Sequence, residues 1–190
     1  MTMQESDNAA RFFALTGGPG SGKSSLIDGL HLRGHARSLE AGRQIIQDQM
    51  TIGGRALPWD DRILFAELML CWEIRSYHTA QQGAGLVFFD RGVPDVLGYL
   101  RWLGQPVPPH MQKAAETFRY NRTVFIAPPW PEIFQQDRER KQDFEEAVRT
   151  YHAVLATYAE NAYDVVEIPR VPVEERVRFV LDYIGPDSNP

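Results

Sequence analysis

Eight residues near the N-terminus constrain the fold of this chain more than any other part of the sequence. The segment 17–24, GGPGSGKS, fits the pattern G-x-x-x-x-G-K-[ST], follows the apolar run 12–16 and precedes a helical pattern. Glycines let main-chain N–H groups curl around phosphates, and the positive end of the following helix dipole adds to the attraction. The alternative is an ordinary glycine-rich turn, but a chance match to all four fixed positions has a probability on the order of 1% or less. The sequence therefore predicts a phosphate-binding loop between a strand and a helix.

The loop predicts that a nucleoside triphosphate and Mg²⁺ are the ligands. We expect Lys23 to reach the β- and γ-phosphates and Ser24 to ligate Mg²⁺. The pattern leaves open whether the nucleotide is ATP or GTP. The predicted nucleotide-binding residues are Gly17, Gly18, Gly20, Ser21, Gly22, Lys23, Ser24 and Ser25.

The remaining sequence alternates short apolar runs with longer segments of helical periodicity, which is typical of an α/β fold with a parallel sheet covered on both faces. The predicted strands are 12–16, 37–39, 86–89, 123–126 and 165–168. The predicted helices are 24–33, 41–50, 60–82, 95–103, 109–119, 131–162 with an interruption, and 174–184. We expect one domain over residues 11–185, with flexible tails at 1–10 and 186–190.

Composition excludes several classes of protein. The net charge of -5, with scattered Lys and Arg residues, argues against nucleic acid as a partner. The single cysteine, Cys71, cannot form an intrachain disulfide, and its apolar neighbours predict a buried thiol in a reducing compartment. The segment 63–77 is apolar on nearly all sides and is expected to be largely buried. Because no leader or run of about 20 apolar residues is present, we expect a cytoplasmic protein without a membrane span; the oligomeric state stays open.

A second candidate group of ligands follows the third predicted strand. Asp90 ends this apolar strand, and ligand groups in open α/β sheets lie at the carboxyl ends of strands. It is the candidate second Mg²⁺ ligand, and the alternative is a solvated turn carboxylate. Arg91 stands where many motor ATPases carry a water-activating glutamate, so the pair predicts a substrate clamp rather than rapid hydrolysis.

Glu40 and Arg43 follow the short second strand. Glu40 is a candidate general base for a hydroxyl group, and Arg43, three residues later, could orient an anionic substrate group. An equally favoured alternative is a helix-initiating glutamate followed by a surface arginine.

A proline-rich turn and a charged cluster predict a lid over the nucleotide. The sequence PPWP at 128–131 is followed by DRERK at 137–141, and the lid-like segment spans about 128–145. Basic groups on a mobile segment can neutralise charge during phosphoryl transfer, and Arg138 is expected to contribute most. The alternative is a solvated helix face of mixed charge.

Together these segments resemble a family of small bacterial predicted ATPases. The resemblance lies in the loop 17–24, in EAGR at 40–43, in FFDRGVPD at 88–95, in APPW at 127–130, and in 137–141 with DF at 143–144. That family is grouped with the ribosylnicotinamide kinase domain of the bacterial NAD regulator and with a eukaryotic GTP-binding protein that mediates TRP-channel localisation.

The resemblance covers residues 11–184. It implies a three-layer P-loop NTPase fold with a five-stranded parallel sheet in the kinase-like order 2-3-1-4-5. Glu40, Asp90 and Arg91 are also similar to the acidic residue and the acid–Arg pair that deoxynucleoside kinases place around the substrate hydroxyl. Since most bacterial members have no established substrate, the resemblance implies a fold and a nucleotide rather than a reaction.

The favoured hypothesis is an ATP-dependent phosphotransferase that acts on a small hydroxyl-bearing metabolite, either nucleoside-like or of another kind. The alternative is a nucleotide-gated switch with a protein or lipid partner, and a pocket bounded by Glu40, Arg43 and Arg91 would distinguish the two. A ring-forming AAA+ machine is disfavoured because no acidic pair follows the third strand and little sequence follows the fifth. The candidate catalytic residues are Lys23, Glu40, Asp90, Arg91 and Arg138; the candidate substrate-binding residues are Glu40, Arg43 and Arg91; and the candidate metal ligands are Ser24 and Asp90.

Overall fold

The computed structural model describes residues 9–134 and 143–185. Its strands are β1 (Phe12–Gly17), β2 (Ala36–Ser38), β3 (Val87–Asp90), β4 (Thr123–Ala127) and β5 (Asp164–Glu167). Its helices include α1 (Lys23–His31), α2 (Ala41–Ile52), α3 (Arg62–Gln81), α4 (Val93–Trp102), α5 (Pro109–Thr117), α6 (Phe144–Glu160) and α7 (Val173–Ile184), with a 3-10 turn at Pro131–Ile133.

The five strands form one parallel sheet in the order β2-β3-β1-β4-β5. This is the order 2-3-1-4-5 that the resemblance implied, and the α/β prediction is confirmed. In the central strand, Leu15 pairs with Asp90 of β3 and with Phe125 of β4. Since all strands run in the same direction, the loops that follow β1, β2, β3 and β4 meet at one edge of the sheet.

Both faces of the sheet are buried, which explains why β1 and β3 are apolar without alternation. On one face Phe13 and Phe88 pack with residues of α1 and α7; on the other, Phe12 and Phe89 pack with Tyr77 and Tyr158 of α3 and α6. Fully burying side chains of this size stabilises the fold by about 1.5–3 kcal/mol each. The result is a three-layer arrangement with a rigid sheet edge on which a site can be built.

Helix α3 buries only one face, so the prediction that 63–77 is largely buried is wrong for the other face. Its buried residues recur every three or four positions: Phe65, Ala66, Leu70, Glu73 and Tyr77. Ile63 and Leu64 are 41% and 43% exposed. Cys71 also faces outward, which corrects the prediction of a buried thiol. The helix begins at Arg62 because the Asp61 side chain accepts a hydrogen bond from the Leu64 amide at 3.0 Å.

The interruption predicted within 131–162 is confirmed. The 3-10 turn ends at Ile133, and α6 begins at Phe144 after a capping box: Asp143 Oδ1 accepts from the Glu146 amide at 2.7 Å, and Glu146 Oε2 accepts from the Asp143 amide at 3.1 Å. The charged cluster 137–141, including Arg138, lies outside the described residues. Within the ranges that are described, none of the helices has both the length and the apolar character needed to cross a bilayer.

Candidate functional site

The segment 17–24, which we call the phosphate loop after its predicted role, joins β1 to α1 and so has the predicted strand–loop–helix context. Gly22 is the N-cap of α1 and has φ +77°, in the left-handed region that favours glycine. A Cβ atom at Gly17 would collide with the carbonyl oxygen of Ala127 at the end of β4. The Ser21 hydroxyl donates to the Gly18 carbonyl at 2.9 Å and closes the loop. The glycines are therefore required by the path of the chain around the loop.

Lys23 lies across this loop and is almost completely buried. Its Nζ donates to the carbonyls of Gly17 at 3.2 Å and Gly18 at 2.8 Å, and to Ser21 Oγ at 3.3 Å. Ser24 and Ser25 follow in the first turn of α1 and are exposed. An ammonium group and a helix N-terminus at one loop form an arrangement suited to phosphate.

Asp90 and Ser24 fit a divalent cation. Ser24 Oγ donates to Asp90 Oδ2 at 3.3 Å, while Asp90 Oδ1 is buried and has no hydrogen-bond partner within the described residues. Burial and the Glu40 carboxylate raise the pKa of Asp90 to about 6, against the opposing effect of Lys23 and Arg91. Asp90 is thus buried rather than a solvated turn carboxylate. A hydroxyl beside an unpartnered carboxylate oxygen is a donor set suited to Mg²⁺.

No group of three or more His, Cys, Asp and Glu side chains among the described residues could hold a metal ion without further ligands. An ion bound at Ser24 and Asp90 would therefore take its other ligands from phosphate and water, as Mg²⁺ commonly does.

Arg91 connects three elements at the sheet edge. It has φ +79°, a conformation that costs a residue with a side chain about 1–3 kcal/mol, and its amide donates to the Leu15 carbonyl at 2.9 Å. Its guanidinium donates to Glu40 Oε1 at 3.3 Å, to the Gly17 carbonyl at 3.1 Å and to Asp95 Oδ1 at 3.1 Å. Burial alone lowers the pKa of Arg91, but Glu40, Asp95 and Asp90 raise it above its ordinary value. The guanidinium is therefore a fixed positive charge beside the phosphate loop.

Asp95 is a site residue to which the sequence analysis assigned no role. It is buried and accepts hydrogen bonds from Thr16 Oγ1 at 2.5 Å, from Tyr158 at 2.7 Å and from the Gly92 amide at 3.0 Å, in addition to the bond from Arg91. The Gly92 bond caps α4, which explains why this helix begins two residues before the predicted position 95. Asp95 thus orients the Arg91 side chain.

A cavity of about 440 Å³ lies beside the phosphate loop. Glu40, Arg43 and Arg91 all line it, which is the arrangement that the sequence hypothesis requires of an acceptor pocket. Glu40 is the N-cap of α2 and makes no capping hydrogen bond with its side chain, so its carboxylate contacts Arg91 instead. The other walls are largely aromatic: Trp59, Phe65, Tyr99 and Trp102.

Glu73 is the second residue that the sequence analysis missed. It lies in the middle of α3, is only 3% exposed and lines the same cavity. Burial raises the pKa of Glu73 well above its ordinary value, the carboxylates of Asp95, Asp90 and Glu40 add to this, and Arg91 opposes it. The signal in the sequence was a single acidic residue within the apolar stretch 68–74, LMLCWEI.

The described ends of the predicted lid segment lie against the phosphate loop. A Cβ atom at Gly20 would lie 2.6 Å from Cδ2 of Phe134, whose ring packs on Phe144 with centroids 5.4 Å apart. A Cβ atom at Gly18 would lie 2.5 Å from the carbonyl oxygen of Ala147 in α6. The described residues on either side of 135–142 therefore both lie beside the phosphate loop. The role of Arg138 stays a prediction.

Arg176 of α7 supports the loop from another side. Its Nη1 donates to the carbonyls of Ser21 at 3.4 Å and Gly22 at 3.3 Å, and its Cζ lies 5.5 Å from the centre of the Trp130 ring. Trp130 therefore packs on Arg176. The sequence analysis assigned no role to Arg176, and the sequence offered no signal that the two residues would meet.

Comparisons with known proteins agree with this fold. A family model described as an AAA domain matches residues 12–176. A solved structure of NadR protein in complex with NR has 17% identity and a TM-score of 0.66, with 93% of this chain and 51% of that chain covered. No curated protein matches the sequence.

Two further solved structures are nucleoside or nucleotide kinases. Deoxyadenosine kinase from M. mycoides with bound dATP has 12% identity and a TM-score of 0.60, covering 91% of this chain and 98% of that chain. Thymidylate kinase from Ehrlichia chaffeensis has 14% identity and a TM-score of 0.58, covering 93% and 98%. The chain spans about half the length of the NadR chain. At sequence identities this low, the structural similarity demonstrates a shared kinase-like fold and nothing more.

Proposed function

This chain belongs to the AAA-domain family whose model it matches over residues 12–176, and we propose that it is a cytoplasmic ATP-dependent phosphotransferase. The phosphate acceptor is a hydroxyl group of a nucleoside-like or other small metabolite. The observation that carries the proposal is the cavity lined by Glu40, Arg43 and Arg91 directly beside the phosphate loop. A switch that reads only the bound nucleotide has no need of such a cavity, so this feature favours the enzyme over the nucleotide-gated switch.

The phosphate loop binds the triphosphate in this proposal. Lys23 exchanges its hydrogen bonds to the loop carbonyls and Ser21 for bonds to the β- and γ-phosphates. Ser24 and Asp90 hold Mg²⁺, which neutralises phosphate charge when it is bound. The buried unpartnered oxygen of Asp90 supports this assignment. The nucleotide is ATP, with GTP as the alternative that direct titration separates.

Glu40 is the proposed general base. Its carboxylate takes the proton from the acceptor hydroxyl as the oxygen forms a bond to the γ-phosphorus, and the bond from that phosphorus to the β-phosphate oxygen breaks to release ADP. Arg91 keeps the Glu40 carboxylate in place through the 3.3 Å bond from Nε and carries positive charge where negative charge develops. Asp95 positions the guanidinium from the opposite side.

The direct test is to incubate the protein with γ-labelled ATP, Mg²⁺ and a library of small hydroxyl compounds. The expected result is label in a phosphorylated metabolite, and no such product with the Lys23→Ala variant, which identifies the site responsible. If label reaches only free phosphate across the library, the phosphotransferase proposal is rejected and the nucleotide-gated switch replaces it.

A further inference from the structure

A second cavity, of about 420 Å³, lies at the outer edge of the sheet, between β2 and helix α3. We call it the edge cavity; its walls include Arg37 and Ser38 of β2 and Trp72, Arg75 and Thr79 of α3. It shares no lining residue with the cavity beside the phosphate loop. Its volume is within the range of pockets that bind small molecules.

The charged residues that line the edge cavity are arginines. Arg37 and Arg75 line it, and no carboxylate is found among its described lining residues, in a chain whose net charge is -5. The Arg37 guanidinium is paired with Asp28 of α1. Arg75 is exposed, and its guanidinium makes no hydrogen bond or ion pair to any residue in the two described ranges. Arg75 is therefore available to pair with an anionic ligand.

Ser38 adds a hydrogen-bonding group that the described fold does not use. Side chains alternate along a strand, so Ser38 faces α3 while its neighbour Arg37 reaches Asp28 of α1. The Ser38 hydroxyl oxygen is buried and has no hydrogen-bond partner within the described residues. Burying a hydroxyl group in this way is unfavourable unless a ligand supplies the partner.

The apolar part of the wall favours a flat ring. Trp72 is half-buried and lines the edge cavity. The other apolar positions of the wall include four with a small side chain or none: Ala36, Ala80, Gly83 and Ala84. Aromatic rings pack favourably on one another in offset or edge-on contact. A planar ring can therefore use Trp72 as a packing surface where the neighbouring residues leave room.

The open edge of β2 could instead accept a peptide as a sixth strand. The Ala36 amide donates to the Leu86 carbonyl at 3.2 Å, so the N–H and C=O groups of the next residue, Arg37, face away from β3. Because β2 has three residues, Arg37 alone presents both groups on the open edge within the strand. Peptides that add a strand gain affinity from a row of main-chain hydrogen bonds. The short edge therefore favours a small molecule over a peptide.

We propose that the edge cavity binds a small organic anion with a planar ring. The ring lies against Trp72, and the anionic group pairs with Arg75 and accepts a hydrogen bond from Ser38. Such a site goes beyond the proposed phosphotransferase function, and ligand binding there can be measured without ATP or a phosphate acceptor.

The position of the edge cavity couples it to the cavity beside the phosphate loop. Ser38 is two residues before Glu40, and Trp72 directly precedes Glu73. Trp72 also packs against the cluster of buried residues that includes Ala41 at the start of α2. An anion held between β2 and α3 therefore restrains the segment that carries Glu40, which makes the edge cavity a regulatory site.

Probes that differ in one property separate the effect of charge from that of shape. Naphthalene-2-carboxylate is planar and anionic at neutral pH, whereas naphthalene-2-carboxamide has the same ring system without the charge. Benzoate and cyclohexanecarboxylate carry the same charge and differ in the planarity of the ring. Calorimetry with the full chain should show naphthalene-2-carboxylate binding at least about tenfold more tightly than the carboxamide. Benzoate should bind more tightly than cyclohexanecarboxylate.

Two variants locate the bound probe. Arg75→Gln should weaken the binding of naphthalene-2-carboxylate at least about tenfold, and Ser38→Ala about threefold. Both should fold, because Arg75 is exposed and the Ser38 hydroxyl makes no bond that the substitution would break. Arg149→Gln is the matched control, since it removes the same charge from the surface of α6, where Arg149 pairs with Glu145. It should bind the probe as the wild type does.

Failure of naphthalene-2-carboxylate to bind, equal binding of the carboxamide, or undiminished affinity in Arg75→Gln overturns the proposal. Loss of affinity in Arg43→Gln or Lys23→Ala, with none in Arg75→Gln, places the probe at the phosphate loop and also overturns it.

Hydrogen exchange measured by mass spectrometry tests the coupling to Glu40. The amides of residues 38–43 should exchange more slowly when naphthalene-2-carboxylate saturates the wild type. Unchanged exchange in this segment rejects the regulatory role and keeps the ligand site. None of these measurements involves phosphoryl transfer, so failure of the edge cavity and failure of the proposed function are distinguished.

Discussion

Lys23 is the residue on which we expect nucleotide binding to depend most. Its three hydrogen bonds within the loop are made by an ammonium group that is nearly enclosed by protein, so the same donors are available to phosphate oxygens. We expect Lys23→Ala to weaken ATP binding at least about tenfold, because a charge-assisted phosphate contact is lost. Calorimetric titration with Mg·ATP measures the change. The exposed Lys113→Ala, which removes the same charge from α5, should bind ATP as the wild type does.

Substitutions of Glu40 and Asp90 should change different kinetic parameters, although both are acidic residues at the same sheet edge. If Glu40 is the general base, Glu40→Gln lowers kcat for phosphoryl transfer by on the order of 10²-fold and leaves ATP affinity nearly unchanged. Asp90→Asn should instead raise the Mg²⁺ concentration needed for half-maximal rate. Steady-state rates over an Mg²⁺ series distinguish them. Wild-type turnover in Glu40→Gln would return Glu40 to its alternative role as a helix-initiating residue.

At the residue scale, the sequence predicted the groups at strand ends but not those carried by helices packed against them. Asp90 and Arg91 could be placed because they directly follow an apolar strand. Asp95 and Glu73 could not, since their roles depend on which side of a helix faces the sheet edge. The outward face of α3 shows the difficulty: Ile63, Leu64 and Cys71 are exposed in the stretch 63–74, whose only charged residues are Glu67 and Glu73. The cavity exists only in the packed fold.

At the scale of elements, the close approach of the phosphate loop to α6 is a steric constraint that can be measured. Gly18 has a Cβ position 2.5 Å from the Ala147 carbonyl oxygen, which belongs to helix backbone and cannot rotate away. We expect Gly18→Ala to destabilise the protein by about 1–3 kcal/mol and to weaken ATP binding, because the loop or the helix must shift. Urea unfolding and calorimetry measure the two effects.

Gly83→Ala is the matched control, since the nearest atom to its Cβ position is the Ala80 carbonyl oxygen at 3.9 Å. It should leave both quantities close to those of the wild type. Wild-type stability and nucleotide affinity in Gly18→Ala would mean that the loop and α6 are not packed as closely as the structure places them.

The accuracy of the predicted elements varied for physical reasons. The strand predicted at 37–39 is β2 (Ala36–Ser38), which begins one residue earlier. It is a short edge strand, and it has few buried side chains whose packing would define where it begins and ends. Helix α4 began earlier than predicted because Pro94 is accepted in a first helical turn and Asp95 caps the Gly92 amide. The alternation of elements was readable from periodicity. The strand order was not, since it depends on crossover connections, and it came from the resemblance alone.

At the scale of the whole molecule, the acidic cluster at the sheet edge should make the protein less stable at neutral pH than its fold would otherwise allow. The folded-state pKa of Asp90 is raised from 3.8 to about 6 by burial and by Glu40, with Asp95 adding to the effect and Lys23 and Arg91 opposing it. Between these values the folded form retains a proton that the unfolded form has released. The free energy of unfolding therefore falls as pH rises through this window, and the loss is complete above about pH 6.

Asp90→Asn should remove this penalty. Urea unfolding of the nucleotide-free protein is expected to show the variant more stable by on the order of 3 kcal/mol at pH 7.5 and about 1 kcal/mol at pH 4.5. The exposed Asp182→Asn removes the same charge at the surface and serves as the control; its free energy of unfolding should stay within about 0.5 kcal/mol of the wild type. With Mg·ATP present, the wild type should become the more stable of the two proteins. A ligand that binds only the folded state stabilises it more when it binds more tightly, and only the wild type has the carboxylate that is expected to hold the metal. A stability difference that does not change with pH would contradict the raised pKa. Equal stabilisation of both proteins by Mg·ATP would remove Asp90 from the metal site and leave its burial without a function.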